Sequence, residues 1–176
     1  MTVDQGNATR LSGPIDRFDQ RILDVLSREG RLSVTALAER IGLSKTPTQT
    51  RLRRLEAEGL ILGYRAVVNA AALGRDHVAF TEVKLSDTRE AALSAFNGAV
   101  RAIPEVESCH LIAGAFDYLL KTRTTGIRAY RQVLAERISM LPHVASTSTF
   151  VAMEAVVEEG AAYRGGEARR ERRVAR

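Results

Sequence analysis

Tryptophan is absent from this 176-residue chain, and cysteine occurs once, at Cys109. A single thiol excludes an internal disulfide and any zinc site built on several cysteines. It fits a reducing compartment, and its apolar surroundings, Val106 to Ile112, read as those of a buried structural thiol. The three histidines, His77, His110 and His143, fall on three separate predicted elements and read as structural. No stretch approaches the ~18 consecutive apolar residues of a membrane span. Residues 1–14 lack the apolar run of a secretory signal. The expectation is a soluble, cytoplasmic protein with no membrane partner. Glycine-rich phosphate loops, His-x-x-x-His pairs and nucleophile elbows are missing too. Neither enzymatic activity nor a metal or cofactor is expected.

What is present is an uneven charge. The net charge of +5 is divided among segments of opposite sign. Residues 15–75 carry 11 Lys/Arg against 7 Asp/Glu, residues 76–163 carry 8 against 11, and residues 164–176 carry six arginines against two glutamates. A basic N-terminal part beside an acidic middle suits a polyanionic partner for the former. Solvated surface charge is the plain alternative.

Periodicity supplies the elements. Residues 1–14 are polar and small, and read as a disordered arm. Ile15, Phe18, Ile22, Val25 and Leu26 follow helical spacing, with Asp16 and Asp19 in the first turn and Gly30 as the stop. A second helix starts after Ser33, presents Leu37, Ala38 and Ile41 on one face and ends at Gly42. Ser44 is expected to cap a third, with Pro47 tolerated in its first turn, Leu52 and Leu55 turned inward, and Gly59 as its stop. Residues 60–69 are strand-like and split by Gly63, which predicts a short β-ribbon or wing; 70–76 reads as a linker. The remainder divides into strand (77–85), helix (from Asp87 or Glu90 to Pro104), strand (106–113), tight connection, strand (117–124), long helix (Ile127 to Leu141) and final strand (144–157). That β-α-β-β-α-β order predicts a ferredoxin-like α+β domain over 77–158, with two helices on one face of an antiparallel sheet. The other face needs cover, which self-association would supply. Residues 159–176 read as a disordered basic tail.

Two short helices meeting through Gly42-Leu43-Ser44 are the spacing of a helix-turn-helix, whose second helix enters the major groove of double-stranded DNA. Here that helix carries Lys45, Thr46, Thr48, Gln49, Thr50, Arg51, Arg53 and Arg54, and no acid occurs from Ser44 to Leu55. Lysine and arginine suit phosphates and guanine, glutamine suits adenine, and threonine suits phosphate or a thymine methyl. Lys45, Thr48, Gln49 and Arg51 are the expected groove contacts; Arg53 and Arg54 are assigned to the backbone or to structural ion pairs.

Three separated motifs go further. Ile15-Asp-Arg-Phe-Asp-Gln-Arg-Ile-Leu23 is followed by Gly42-Leu-Ser-x-x-Pro47 with Arg51-Leu-Arg-Arg-Leu-Glu-x-x-Gly-Leu-Ile61, and then by Cys109-His-Leu-x-x-Gly-x-Phe-Asp-Tyr-Leu-Leu-Lys121. In that order they resemble the leucine-responsive/asparagine-regulator (Lrp/AsnC) family, nearest its leucine-responsive and proline-catabolism branches, over about 15–158. The resemblance implies a winged helix-turn-helix over 15–69, followed by the family's ferredoxin-like effector-binding (RAM) domain. It also implies dimers paired through that domain, often assembled into octamers, and a small-molecule amino-acid effector. The family's effector positions map onto Leu111, Gly114, Ala115, Asp117, Thr147, Thr149, Phe150, Val151 and Ala152. The chemistry is compatible: Gly114 allows close approach, turn N–H groups can hold a carboxylate, and Asp117 can pair with an ammonium. Ala115 departs from the family, which commonly has a polar residue there. An apolar or cyclic amino acid, of the leucine or proline type, is the expected effector. Two alternatives stay open: an architectural DNA-binding protein without an effector, and a metabolite-sensing domain acting on an enzyme.

Overall fold

In the computed structural model, residues 13–157 are described, and they fall into two compact units, the first running to Val67 and the second from Val68 to Val157. The arm assigned to 1–14, apart from its last two residues, and the tail assigned to 159–176 lie outside the described residues.

The first unit is built on three helices, α1 (Arg17–Leu26), α2 (Val34–Ile41) and α3 (Lys45–Ala57). Asp16 is the N-cap of α1, not part of its first turn. Its Oδ1 accepts from Phe18 N at 2.8 Å and Asp19 N at 3.0 Å, while Asp19 Oδ2 accepts from Asp16 N at 3.1 Å. This is a reciprocal capping box. α1 ends at Ser27 rather than at Gly30. Ser33 caps α2 through a bond from Ala36 N to its Oγ at 3.2 Å. Gly42 ends α2 in the left-handed region, at φ 75°, which lets Leu43 N return to Ala38 O at 3.0 Å. Ser44 occupies the N-cap of α3, yet its side chain makes no capping bond; its carbonyl instead accepts from Thr48 N and Thr48 Oγ1. The apolar stripes of the three helices converge on Ile22, Leu37, Ile41 and Leu55, with Leu52, Leu60 and Ile61 packed around them.

The β-ribbon expected over 60–69 is not formed. Leu60 N and Ile61 N both bond Leu55 O, which closes α3, and residues 62–69 continue as extended chain without a ladder. A strand needs a partner for its N–H and C=O groups, and no described segment of this unit aligns with it.

The second unit opens with a single 3₁₀ turn (Ala71–Leu73) inside the expected linker, then follows the order β1 (His77–Leu85), α4 (Glu90–Val100), β2 (Val106–Leu111), β3 (Tyr118–Thr124), α5 (Ile127–Val133), β4 (Val144–Val151). α5 continues as one π-helical turn, Leu134–Ile138. The sheet is antiparallel in the order β2-β3-β1-β4. Ala79, Thr81, Val83 and Leu85 of β1 are all buried, as their alternation predicts, and Val83 and Leu85 join a core with Phe96, Val100, Tyr118, Leu120, Val133 and Ile138. The strands are shorter than the apolar runs suggest: β2 stops at Leu111 and β4 at Val151. Past β4, Met153, Val156 and Val157 are exposed.

Candidate functional site

α3 divides cleanly by exposure. Thr48 and Leu55 are fully buried, and Leu52 is partly so. Thr46, Gln49, Thr50 and Arg53 follow i, i+3, i+4 and i+7, and with Lys45 they form the outward stripe. Lys45, Thr46, Thr50 and Arg53 are exposed and Gln49 is half-buried. Thr50 Oγ1 donates to Thr46 O at 3.1 Å. Arg53 and Lys45 make no ion pair among the described residues.

Two expected groove contacts are placed elsewhere. Thr48 is 0% exposed and its hydroxyl is bonded to Ser44 O at 2.9 Å, so it belongs to the helix's seat and not to its reading face. Arg51 turns back toward α1, where Nη1 lies 2.9 Å from Asp19 Oδ1 and 2.7 Å from Asp16 Oδ2. Arg54 Nη2 pairs with Asp19 Oδ2, one of the two roles foreseen for it. Asp19 is buried, so sequence position in its helix's first turn concealed its function: a carboxylate facing inward to hold two arginines of α3. The bond to Asp19 pushes the Arg51 guanidinium further up, and the Asp19 N–H, followed by Arg51, holds the Asp16 carboxyl below its ordinary value.

In the second unit, the loop 112–117 joins β2 to β3, with Ile112 N bonded to Asp117 O at 2.8 Å and Asp117 N to Val83 O at 2.9 Å. Gly114 is exposed, and a Cβ built there would meet only Ile112 Cγ2 at 3.6 Å. Nothing within the chain itself requires glycine at this position. Asp117 does not stand free for an ammonium: its Oδ2 accepts from Leu85 N at 2.7 Å and its Oδ1 from Lys84 Nζ at 3.1 Å. The Leu85 N–H, more than Lys84, holds this carboxyl below its usual range.

The residues of β4 split between the faces of the sheet. Thr147, Thr149 and Val151 pair with Val83, Thr81 and Ala79 and so share the helical side. Thr149 Oγ1 is bonded to Tyr130 Oη at 2.6 Å, and that hydroxyl also meets Thr81 Oγ1 at 2.8 Å. Thr147 and Thr149 are half-buried on this side of the sheet. Phe150 is on the other face, opposite Phe80. Ala152 N bonds Val78 O at 2.9 Å, and Leu111 is exposed at the end of β2. Ala115 lines a shallow cavity of about 180 Å³ with Glu82, Lys84, Phe116, Ser146 and Ser148. Sequence reasoning missed those five. Strand parity could have found Glu82 and Lys84, which alternate with the buried Thr81, Val83 and Leu85.

With this geometry in place, the relatives are informative. Residues 15–61 match the family described as winged helix-turn-helix DNA-binding, and 78–162 match the Lrp/AsnC ligand binding domain. A proline dehydrogenase transcriptional activator of Rhizobium radiobacter is 65% identical over 146 residues, which is 83% of this chain and 94% of that protein. The leucine-responsive regulatory protein of Salmonella typhimurium is 44% identical over 142 residues, 81% and 87% of the two chains. Among solved structures, a transcriptional regulator of Neisseria meningitidis in complex with L-methionine superposes with a TM-score of 0.78 at 28% identity, covering 84% of this chain and 96% of that one. Among the described residues no helix is long and apolar enough to cross a membrane. A DNA-binding helix-turn-helix joined to a ligand-binding α+β domain, with relatives of this closeness over most of its length, makes the chain a transcriptional regulator of the Lrp/AsnC family.

Proposed function

We propose that α3 reads the major groove with Thr46, Gln49, Thr50 and Arg53, assisted by Lys45 at the helix start. Gln49 is the adenine reader, Arg53 and Lys45 hold guanine or phosphate, and the threonine methyls meet thymine. The observation that carries this reading is the acid-free stripe 45–53, exposed on a helix whose opposite side is buried. Two copies, paired through the outer face of the second unit's sheet, would place two α3 helices in successive half-sites. That face bears the half-exposed Phe80 and Phe150 side by side. Higher assembly toward an octamer and a cytoplasmic location accompany this reading.

The effector reading is an apolar amino acid, with proline first. Its supports are the 65% identity to a proline dehydrogenase activator and the fold shared with a methionine-bound regulator. The small, open cavity beside Ala115 is incomplete in a single chain, as expected if a second copy closes it. The controlled gene would then serve proline breakdown. The test is footprinting on the promoter next to the protein's own gene, with proline, leucine, methionine and polar amino acids added in turn. Proline or another apolar amino acid should change the extent or affinity of protection. Protection that no amino acid alters would favour an architectural protein.

A further inference from the structure

α3 is held against α1 by a charge cluster that the groove-reading stripe does not include. Asp19 is 0% exposed, and both of its carboxylate oxygens are taken by guanidiniums three residues apart on α3, Oδ1 by Arg51 and Oδ2 by Arg54. Asp16, the N-cap of α1, closes the cluster by bonding Arg51 at 2.7 Å. The Phe18 ring lies beneath Arg51, with the guanidinium carbon 5.7 Å from its centroid. Arg54 is partly exposed, but its Nε is buried without a hydrogen-bond partner and its Nη2 is held by Asp19.

The apolar seat made by Leu52 and Leu55 is non-directional and tolerates rotation of α3 about its axis. A buried carboxylate gripping Arg51 and Arg54 does not, because a turn of the helix would leave a charge unpaired in the interior. The same contacts withhold two cations from DNA phosphates. We infer that Asp19 is a positioning residue that sets DNA sequence discrimination: it fixes which side chains of α3 face the groove and keeps Arg51 and Arg54 out of non-specific phosphate contact. The inference rests on the proposal that the 45–53 stripe reads DNA.

The test compares binding of the full chain to a duplex enriched by the wild-type protein from a random-sequence library with binding to poly(dI-dC), each across a salt series. Asp19→Asn frees Arg54 and leaves Arg51 held by Asp16 alone. Affinity for poly(dI-dC) should rise, the slope of log K against log salt should steepen by ~1–2 at ~0.9 per phosphate, and the ratio of specific to non-specific affinity should fall at least about tenfold. Asp19→Glu keeps the charge but displaces the cluster by one methylene, and should lower the ratio with the slope unchanged. This second variant decides the matter if the first does not fold. A merely structural Asp19 would leave ratio and slope as in wild type in both variants while scaling both affinities together, and that result overturns the inference. Arg53→Ala on the same duplexes separates the two claims. Loss of slope there, with wild-type ratios in both Asp19 variants, overturns the role of Asp19 alone. An Arg53→Ala chain that keeps both the wild-type slope and the wild-type affinity for the selected duplex overturns groove reading by this stripe, and this inference with it.

Discussion

Leu55→Ala should abolish DNA binding by unfolding one unit and sparing the other. Leu55 is 0% exposed and packs among Ile22, Leu37 and Ile41, so it contributes to a core drawn from all three helices. Truncating a fully buried leucine costs ~2–5 kcal/mol, the spread reflecting how far the surroundings collapse into the gap. A first unit of about 55 described residues, at ~0.05–0.15 kcal/mol per residue, carries only ~3–8 kcal/mol of stability. The substitution therefore removes much or all of it. The core of the second unit, centred on Phe96, Tyr118, Leu120 and Ile138, contains no residue of the first. Hydrogen exchange on the Leu55→Ala chain should show protection lost over 13–67 and retained over 77–151. Far-UV circular dichroism should keep the sheet signal while DNA binding disappears. Simultaneous loss of protection in both units would refute the separation of the cores; unchanged protection in both would refute the role given to Leu55.

Four further outcomes are expected. Arg53→Ala should reduce the slope of log K against log salt by ~1, and Gln49→Ala should cost ~1–3 kcal/mol on the preferred duplex while relaxing base choice at one position; fluorescence anisotropy across salt and sequence reads both. Asp117 has a folded pKa below its unfolded one, so the stability it contributes is complete above the unfolded value, about 3.9, and is lost as pH falls through the folded value. Urea midpoints of the second unit should thus decline below about pH 4 in wild type and decline less in Asp117→Asn, and equal declines would remove Asp117 as the cause. The Cys109 thiol is pushed up to about 11 by burial. Alkylation by iodoacetamide at a pH of about 8 should be slower than for an unfolded thiol by on the order of 100-fold, with urea abolishing the difference.

Much of this architecture is legible in the sequence because the cues are local and repeated. Ser33 and Gly42 mark the ends of α2 by chemistry that acts within one helical turn, and the alternation from Ala79 to Leu85 tells which side of β1 is buried. What escaped depends on distant partners. Thr48 has the composition of a DNA contact, but a bond to Ser44 O and the packing of α3 turn it inward. Arg51 looks like a groove residue until the buried Asp19, 32 positions earlier, captures it. The face that Thr147 and Thr149 take is set only by the pairing with Val83 and Thr81. The ribbon expected at 60–69 is absent for the converse reason: a strand-like segment is not a strand without a neighbour, and residues 62–69 have no ladder partner among the described residues.

The central claim is that the outward stripe of α3 enters the major groove, and methylation protection of guanine N7 probes it most directly. On a bound duplex selected by the wild-type protein, N7 atoms should be shielded in two windows about one helical turn apart or a multiple of it, and Arg53→Ala should restore methylation at particular guanines in each. Guanines that stay fully reactive throughout a saturated complex would contradict the account.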